Sequence, residues 1–491
     1  MKEKIMNKKL LSLLMTALFS FAGYFNANAQ QVDSLEIDLT TALNIALSEN
    51  PSVKVADMEI EKKQYAKKSA YGALMPQMDI LGQYQRAIKR QTVYFDEGLG
   101  FGGGDIDPTK YTPEELQIME VVGDMFSMGG DSESSGEGIQ MGRFNVWSTG
   151  LNVSLPIVVP SLWKNIQISE VDIQIAMEKA RSSKIDLINQ VKKSYYSLLL
   201  AKDSYEVLRK TYETDSINLE NIRNRYNQGV VAEYDVITAD VRLKSLIPNM
   251  IQAENMMKIA EMQLNMFMGI DGFVPLKIVG SLDDYESVMF DNLIPADTTL
   301  SHNSDLKQFD LQTQQAQNAL EMQKLQYAPS LVTSFNWTYT SQNNDYKFSK
   351  YRWDPYSMLG VTLQIPLFSG GQRYHNIKQS QIQIYQLNEQ RKEVERGLKL
   401  SIKNNYDLIN KNIEQVVATQ SSIEQARKGH EITLKRYETG MGTIVDVNAA
   451  ALAVLNAELQ NRNAIYDYLA AKADLEKILG YEIEPIDGLN K

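Results

Sequence analysis

The stretch QRYHNIKQSQIQIYQLNEQRKEVERGLKLSIKNNYDLINKNIEQVVATQSSIEQARKGHEITLKRY, Gln372 to Tyr437, decides the fold. It holds no proline and only two glycines, Gly397 and Gly429, in a run rich in Gln, Glu, Lys and Leu. That composition favours an unbroken helix, which at 1.5 Å per residue is roughly 100 Å long. Ile402, Ile409, Val416 and Ile423 recur every seven residues, and Leu398, Tyr406 and Ile413 fill the intervening turns. Such a repeat is the seam of a helix paired with a neighbour. After a turn marked by Gly440, a second helix is expected from Thr443 to Leu479. Paired antiparallel hairpins of this length have no compact globular home. Their Ala, Ser, Asn and Gln content leaves a weak apolar stripe, which suits helices with neighbours on both sides and one watery face.

The pattern occurs twice. Residues 50–76 align without gaps on 303–329 at an offset of 253, each copy stopping at a proline, Pro76 and Pro329. Further on the offset is 210, setting Asn152-Val153-Ser154-Leu155-Pro156 against Thr362-Leu363-Gln364-Ile365-Pro366. It then becomes 211, pairing Arg225-Tyr226 with Arg436-Tyr437, Gly229 with Gly440, and Asp235-Val236 with Asp446-Val447. The first copy therefore carries 43 extra residues between its prolines. Its long helix reads from Ser161 to Tyr226 and its return helix from Val231 to Met268. The chain divides into a leader (1–29), a first repeat (30–280), a linker (281–298), a second repeat (299–482) and a tail (483–491). Each repeat reads helix, strand, loop, strand, very long helix, turn, long helix.

The leader has Lys2, Lys4, Lys8 and Lys9 ahead of an apolar run, Leu10 to Phe25, and a small-x-small site at Ala27-Asn28-Ala29. This is the layout of a signal peptide; as a retained anchor it is short of the roughly 20 apolar residues a span needs. No later stretch is long and apolar enough to be a transmembrane helix, so entry into a membrane would require a β-barrel. The chain of 491 residues carries 50 Lys plus Arg against 61 Asp plus Glu, a net charge of −11. Without the leader the net charge is −14. An acidic chain is a poor nucleic-acid binder. With no Cys and three scattered His (His302, His375, His430), thiolate chemistry and histidine metal sites lose their ligands. No catalytic triad, phosphate loop or metal cluster stands out, so neither an enzyme nor a cofactor is expected.

The expected strands alternate with period two. Leu331, Thr333, Phe335, Trp337 and Tyr339 share one face against Val332, Ser334, Asn336, Thr338 and Thr340. Leu359, Val361, Leu363 and Ile365 do the same in the next strand, and Trp147, Leu151, Val153 and Leu155 in the first copy. The segment Met78 to Tyr84 alternates poorly and is assigned by homology to the second copy. An apolar face opposite a small, polar face suits a wall between lipid and water, and equally a sheet over a soluble core. If the strands span a membrane, four cannot close a barrel, and an open edge in lipid costs several kcal/mol per unpaired group. Two chains would give eight strands and three would give twelve; geometry alone does not choose.

Three motifs now carry a resemblance. Leu39-Thr40, Ala42-Leu43 and Asn50-Pro51 resemble the opening motif of the TolC family of outer-membrane efflux proteins. Pro366-Leu367-Phe368-Ser369-Gly370-Gly371 resembles that family's strand-to-helix junction. Tyr437-Glu438-Thr439-Gly440, followed by Thr443-Ile444-Val445-Asp446-Val447, resembles its periplasmic helix turn. The resemblance covers essentially the whole chain after the leader. It implies a mainly α protein with a β-barrel: a homotrimer whose 12-stranded outer-membrane barrel continues into a 12-helix periplasmic α-barrel. It further implies a passive exit duct of a tripartite efflux or type I secretion system in a Gram-negative outer membrane, working with a periplasmic adaptor and an inner-membrane pump. A periplasmic coiled-coil adaptor or scaffold without a pore is the alternative, although adaptor-like β-rich domains are not visible.

The resemblance also supplies site residues. Asp446 is expected at the pore aperture, although an Asp at a helix N-terminus also complements the helix dipole; Asp235, its first-copy counterpart, is expected in contacts between the helices of the turn rather than in the aperture ring. Tyr226 and Tyr437 are expected to tie neighbouring hairpins, and Gly229 and Gly440 to end helices in the left-handed conformation. Pro156 and Pro366 are expected to end strands, with Gly370-Gly371 turning the chain into its helix. Gly442 stands where the best-known pattern has a latching Arg, and Ala449 where it has a second pore aspartate, so an identical latch is not expected. The 43-residue insertion falls in an acidic, Gly-rich loop, about 92–143, where a barrel has an extracellular loop. Between Asp96 and Gln140 it holds 11 acidic residues against Lys110 alone, so most of the acidity belongs to one loop.

Overall fold

The computed structural model describes residues 35–93, 111–118, 139–291 and 300–481. The leader, the tail, part of the linker and most of the acidic loop lie outside these residues.

A short strand β1 (Leu35–Ile37) opens the described chain, followed by α1 (Leu39–Glu49) and α2 (Pro51–Gly72). Then come β2 (Gln77–Arg86), β3 (Gln91–Val93), β4 (Ile139–Met141) and β5 (Asn145–Val158). The first long hairpin is α3 (Pro160–Asn227, 68 residues) and α4 (Glu233–Met268, 36 residues). After it lie β6 (Leu276–Ile278), a 3-10 turn at Leu282–Tyr285, α5 (Glu286–Asp291) and α6 (Ser304–Leu325). The second half continues with β7 (Ser330–Asn343) and β8 (Asp354–Gln364). It closes with the second hairpin, α7 (Gln372–Glu438, 67 residues) and α8 (Ile444–Leu479, 36 residues). The sequence reading had not foreseen β1 and β6, which pair in parallel. It had also missed Pro248 inside α4, where one helical hydrogen bond is forfeited.

Two compact units result. One comprises Lys67–Gln167 and Ala319–Ile377, the other Met1–Ala66, Ile168–Asn318 and Lys378–Lys491. The first is built on an antiparallel sheet in the order β2-β5-β7-β8. Residues paired across an antiparallel ladder point to the same face, so the register sorts the side chains. Met78, Ile80 and Tyr84 pair with Val153, Leu151 and Trp147, and Val153 and Leu151 pair in turn with Phe335 and Trp337. Phe335 and Leu331 then meet Leu359 and Leu363. One face is thus apolar across all four strands, and the opposite face carries Asp79, Asn152, Asn336 and their neighbours. The weak alternation of β2 is explained by Gly82 on the apolar face and Leu81 on the polar one. The apolar face is uncovered: Leu359 is 73% and Val361 65% exposed. Gly150 lets β5 and β7 approach, since a Cβ there would lie 2.5 Å from the Trp337 carbonyl oxygen.

The junctions differ between copies. Pro156 does not end β5; it pairs with Val332, and the register slips between Pro156 and Val158. A bulge is a place where a strand tolerates proline. Two residues after the end of β5, Pro160 begins α3, a position that needs no amide hydrogen. In the second copy β8 stops at Gln364, two residues before Pro366. There Gly370 (φ 62°) and Gly371 (φ 81°) make a left-handed bend into α7, and the Pro366 carbonyl accepts from Arg373 at 3.1 Å.

The other unit is helical. Its largest core joins Leu187, Val191 and Leu199 of α3 to Leu264 of α4, Ile402 and Val416 of α7, and Ile465 and Leu475 of α8. The expected heptad positions Ile402, Ile409 and Val416 are buried. Between them the seam is polar: Asn412 and Thr419 are buried as well, and Asn461 of α8 donates to the Thr419 hydroxyl at 3.1 Å. Among the described residues no helix is long and apolar enough to cross a membrane.

Candidate functional site at the helix turns

Both hairpins turn through a glycine with positive φ, Gly229 at 72° and Gly440 at 78°. Val230 donates to the Arg225 carbonyl and Gly229 to that of Tyr226, at 2.9 and 2.8 Å. Met441 and Gly440 repeat this on Arg436 and Tyr437, at 2.8 and 3.1 Å. This is the Schellman closure of a helix, which a Cβ would strain.

Past the turns the copies diverge at the helix cap. Thr443 caps α8: its hydroxyl accepts from the Asp446 amide at 3.2 Å, and the Asp446 carboxylate accepts from the Thr443 amide at 3.1 Å. The Thr443 hydroxyl also donates to that carboxylate at 2.8 Å. These bonds hold the Asp446 carboxyl below the usual carboxylate range, so it is charged, exposed and part of a capping box. In the first copy the cap position is Ala232, which offers no side-chain bond. The Asp235 carboxylate instead accepts from the Tyr437 hydroxyl at 3.0 Å. The structure therefore places Asp235 in a contact between hairpins and Asp446 on the surface of α8.

Tyr437 is 6% exposed. Burial, reinforced by the Asp235 carboxylate, pushes its phenol up to about 12, which keeps it a donor. The Arg225 guanidinium lies 5.3 Å from its ring centroid and donates to the Glu438 carbonyl at 3.2 Å. Tyr226, expected to act as a tie, is exposed in the chain. Leu219 and Ile222 define the inward face of α3; Arg225 continues that face at i+3, and Tyr226 points about 100° away.

A second layer of contacts was not foreseen. Arg242 of α4 donates to the Asp215 carboxylate of α3 at 2.8 Å and to the Asn448 carbonyl of α8 at 2.5 Å. Both charged side chains are nearly buried, 12% and 8% exposed. Burial raises the Asp215 carboxyl while Arg242 opposes the rise. His430 of α7 faces the same pair; burial first, then Arg242, holds its imidazole below the ordinary value. A signal was available in the sequence, because Asp215 and Arg242 stand 14 residues before and 13 after Gly229, level with each other in a hairpin. Between the hairpins lies a cavity of about 310 Å³ lined in part by Asn218, Arg242, Tyr437 and Asn448.

Long paired hairpins, an uncovered apolar sheet face and turns tied by polar contacts define a class of membrane duct. The profile described as Outer membrane efflux protein (OEP) matches residues 122–269 and 296–481, and the chain belongs to that family. It is an outer-membrane channel with a periplasmic extension, of the kind used in tripartite efflux or type I secretion, and not an enzyme. Family membership implies a trimeric channel working with efflux pumps. The chain is 23% identical over 348 residues to the outer membrane protein TolC of Escherichia coli K12, covering 68% of this chain and 70% of that one. Among solved structures, CusC superposes with a TM-score of 0.68 at 15% identity, covering 93% of this chain and 95% of that one. The CmeC outer membrane channel of Campylobacter jejuni does so with 0.66 at 17%, covering 90% and 85%.

Proposed function

We propose that three copies of the chain pair edge to edge, β2 of one with β8 of the next, to close a 12-stranded barrel in the outer membrane. The hairpins would then line a 12-helix periplasmic tunnel that docks through an adaptor to an inner-membrane pump, which supplies the energy. One observation carries this reading: a four-stranded sheet has one face apolar in every strand, and its outer strands lack a second partner among the described residues. In lipid that arrangement is stable only when the edges meet other edges. Residues 30–280 and 299–482 act as the two repeats, with the acidic loop on the cell surface.

At the periplasmic end the Asp446 carboxylates of three copies form a charged ring, and Tyr437, Asp235 and Arg225 hold each hairpin pair together. Like charges at close range repel by about 1 kcal/mol in water, so the ring resists full closure and favours cations. The test is conductance of the purified protein in a planar bilayer. A detergent-stable trimer that forms no channels would refute the duct. Asp446→Asn removes the charge and leaves the Thr443 hydroxyl capping the residue-446 amide, whereas Thr443→Ala removes that cap and keeps the charge. Cation selectivity should fall in the first variant and persist in the second; equal selectivity in both would place Asp446 outside the aperture.

A further inference from the structure

The two ends of the sheet carry opposite electrostatic characters. At the end continuous with α3 and α7, residues 75–78, 155–159, 327–331 and 364–369 contain no charged side chain. At the other end, residues 86–93, 139–145 and 341–356 contain Arg86, Lys89, Arg90, Arg143, Lys347, Lys350 and Arg352, with Asp345 and Asp354 as their carboxylates. Arg352 pairs with Asp354 at 2.9 Å. Lys89, Arg143, Lys347 and Lys350 are exposed and make no ion pair among the described residues.

These segments are knitted into one collar. Phe144 donates its amide to Asn344 at 3.0 Å, and Tyr84 and Tyr346 share a hydroxyl contact of 3.1 Å. Trp147 stacks on Tyr84 with ring centroids 4.1 Å apart and meets Phe348 edge-on at 5.0 Å. Arg86 donates to the Tyr346 hydroxyl and lies over its ring. Along β2, the apolar face reads Met78, Ile80, Gly82, Tyr84, Arg86. It passes from aliphatic to aromatic to basic, the gradient of a strand climbing from hydrocarbon to headgroups.

We infer that this collar binds the phosphate groups of the phosphorylated glycolipid in the outer leaflet. The inference rests on the strands forming the membrane wall. Strand ends that run into the long helices face the periplasm, so the basic ends face outward. Guanidinium and ammonium groups beside an aromatic girdle match a phosphate-bearing headgroup in charge and depth, and four of the cations carry no carboxylate partner to displace.

The test uses full-length protein in detergent, titrated with bisphosphorylated lipid A and with its dephosphorylated form. Wild type should bind the phosphorylated form at least about tenfold more tightly, and millimolar inorganic phosphate should compete poorly. The triple variant Arg86→Gln, Lys347→Gln, Lys350→Gln should lose that preference while retaining trimer size and bilayer conductance. A variant without conductance is replaced by Lys347→Gln, Lys350→Gln, which touches no strand. Equal binding of both lipids overturns the inference, as does undiminished binding by a conducting variant. Full displacement by free phosphate also overturns it, assigning the collar to soluble anions. Binding seen only after the acidic side chains between Asp96 and Glu137 are neutralised overturns it as well. Absence of channels in wild type would instead strike the barrel reading.

Discussion

Tyr437 and Tyr226 occupy equivalent places in the duplicated sequence, yet only Tyr437 is buried and bonded across to the other hairpin. The difference traces to the caps: Ala232 leaves Asp235 available, and Thr443 occupies Asp446. Tyr437→Phe deletes one bond to a charged acceptor and leaves the ring packed, at a cost of about 1.5–3 kcal/mol. It should raise single-channel conductance or the frequency of open events; an unchanged record would remove the bond from the closed state. His430 adds a pH dependence. Its imidazole lies below the ordinary value of 6.5, so just under that pH the unfolded chain takes up a proton that the folded hairpins refuse. Stability at the turns therefore falls as pH drops through about 6.5. The melting temperature should decline from pH 7.5 to 5.5 in wild type and less in His430→Gln. Asp215, raised by burial, runs in the opposite direction: its contribution is held at low pH and lost as pH rises through its folded value. His430→Gln also removes one of the interactions that lower the Asp215 carboxyl, so the comparison reports the coupled titration of the pair.

The elements themselves were largely legible in the sequence. The uninterrupted run before Tyr437 and the seven-residue spacing of Ile402, Ile409 and Val416 report backbone and packing preferences that reside in the local sequence. The glycine turns were legible for the same reason. Long-range polar pairing was not: nothing local marks Asp215 and Arg242 as partners, and β2 became readable only once Ile80 was set opposite Leu151. Two substitutions probe these nonlocal contacts. Arg242→Met leaves the Asp215 carboxylate buried and unpaired, costing about 3–5 kcal/mol, and should increase hydrogen exchange at both turns. Adding Asp215→Leu should restore most of the protection; failure to restore it would show that the cost lies elsewhere. Gly150→Ala drives a Cβ into the β7 backbone and should abolish SDS-resistant oligomers, because β7 is paired to β5 on one side and β8 on the other.

At the scale of the whole molecule, a chain without cysteine is a clean background for mapping the joins between copies. A cysteine at Ile80 in β2, combined with one at Leu359, Val361 or Leu363 in β8, should yield covalent trimers on oxidation at one of the three positions. Cross-linked dimers as the end product of every combination would count against threefold closure. The Asn461–Thr419 bond in the second hairpin bears on how such a duct can move. Sliding α7 past α8 by one helical turn, about 5.4 Å, would set Val416 or Ile423 against Asn461 in place of Thr419, a loss that swinging or twisting the hairpin avoids. The hairpin thus behaves as a strut of constant length: it can rotate its turn away from the pore axis, but it cannot telescope. In the proposed duct, any variation in the distance to the inner membrane must be absorbed by the partners below it.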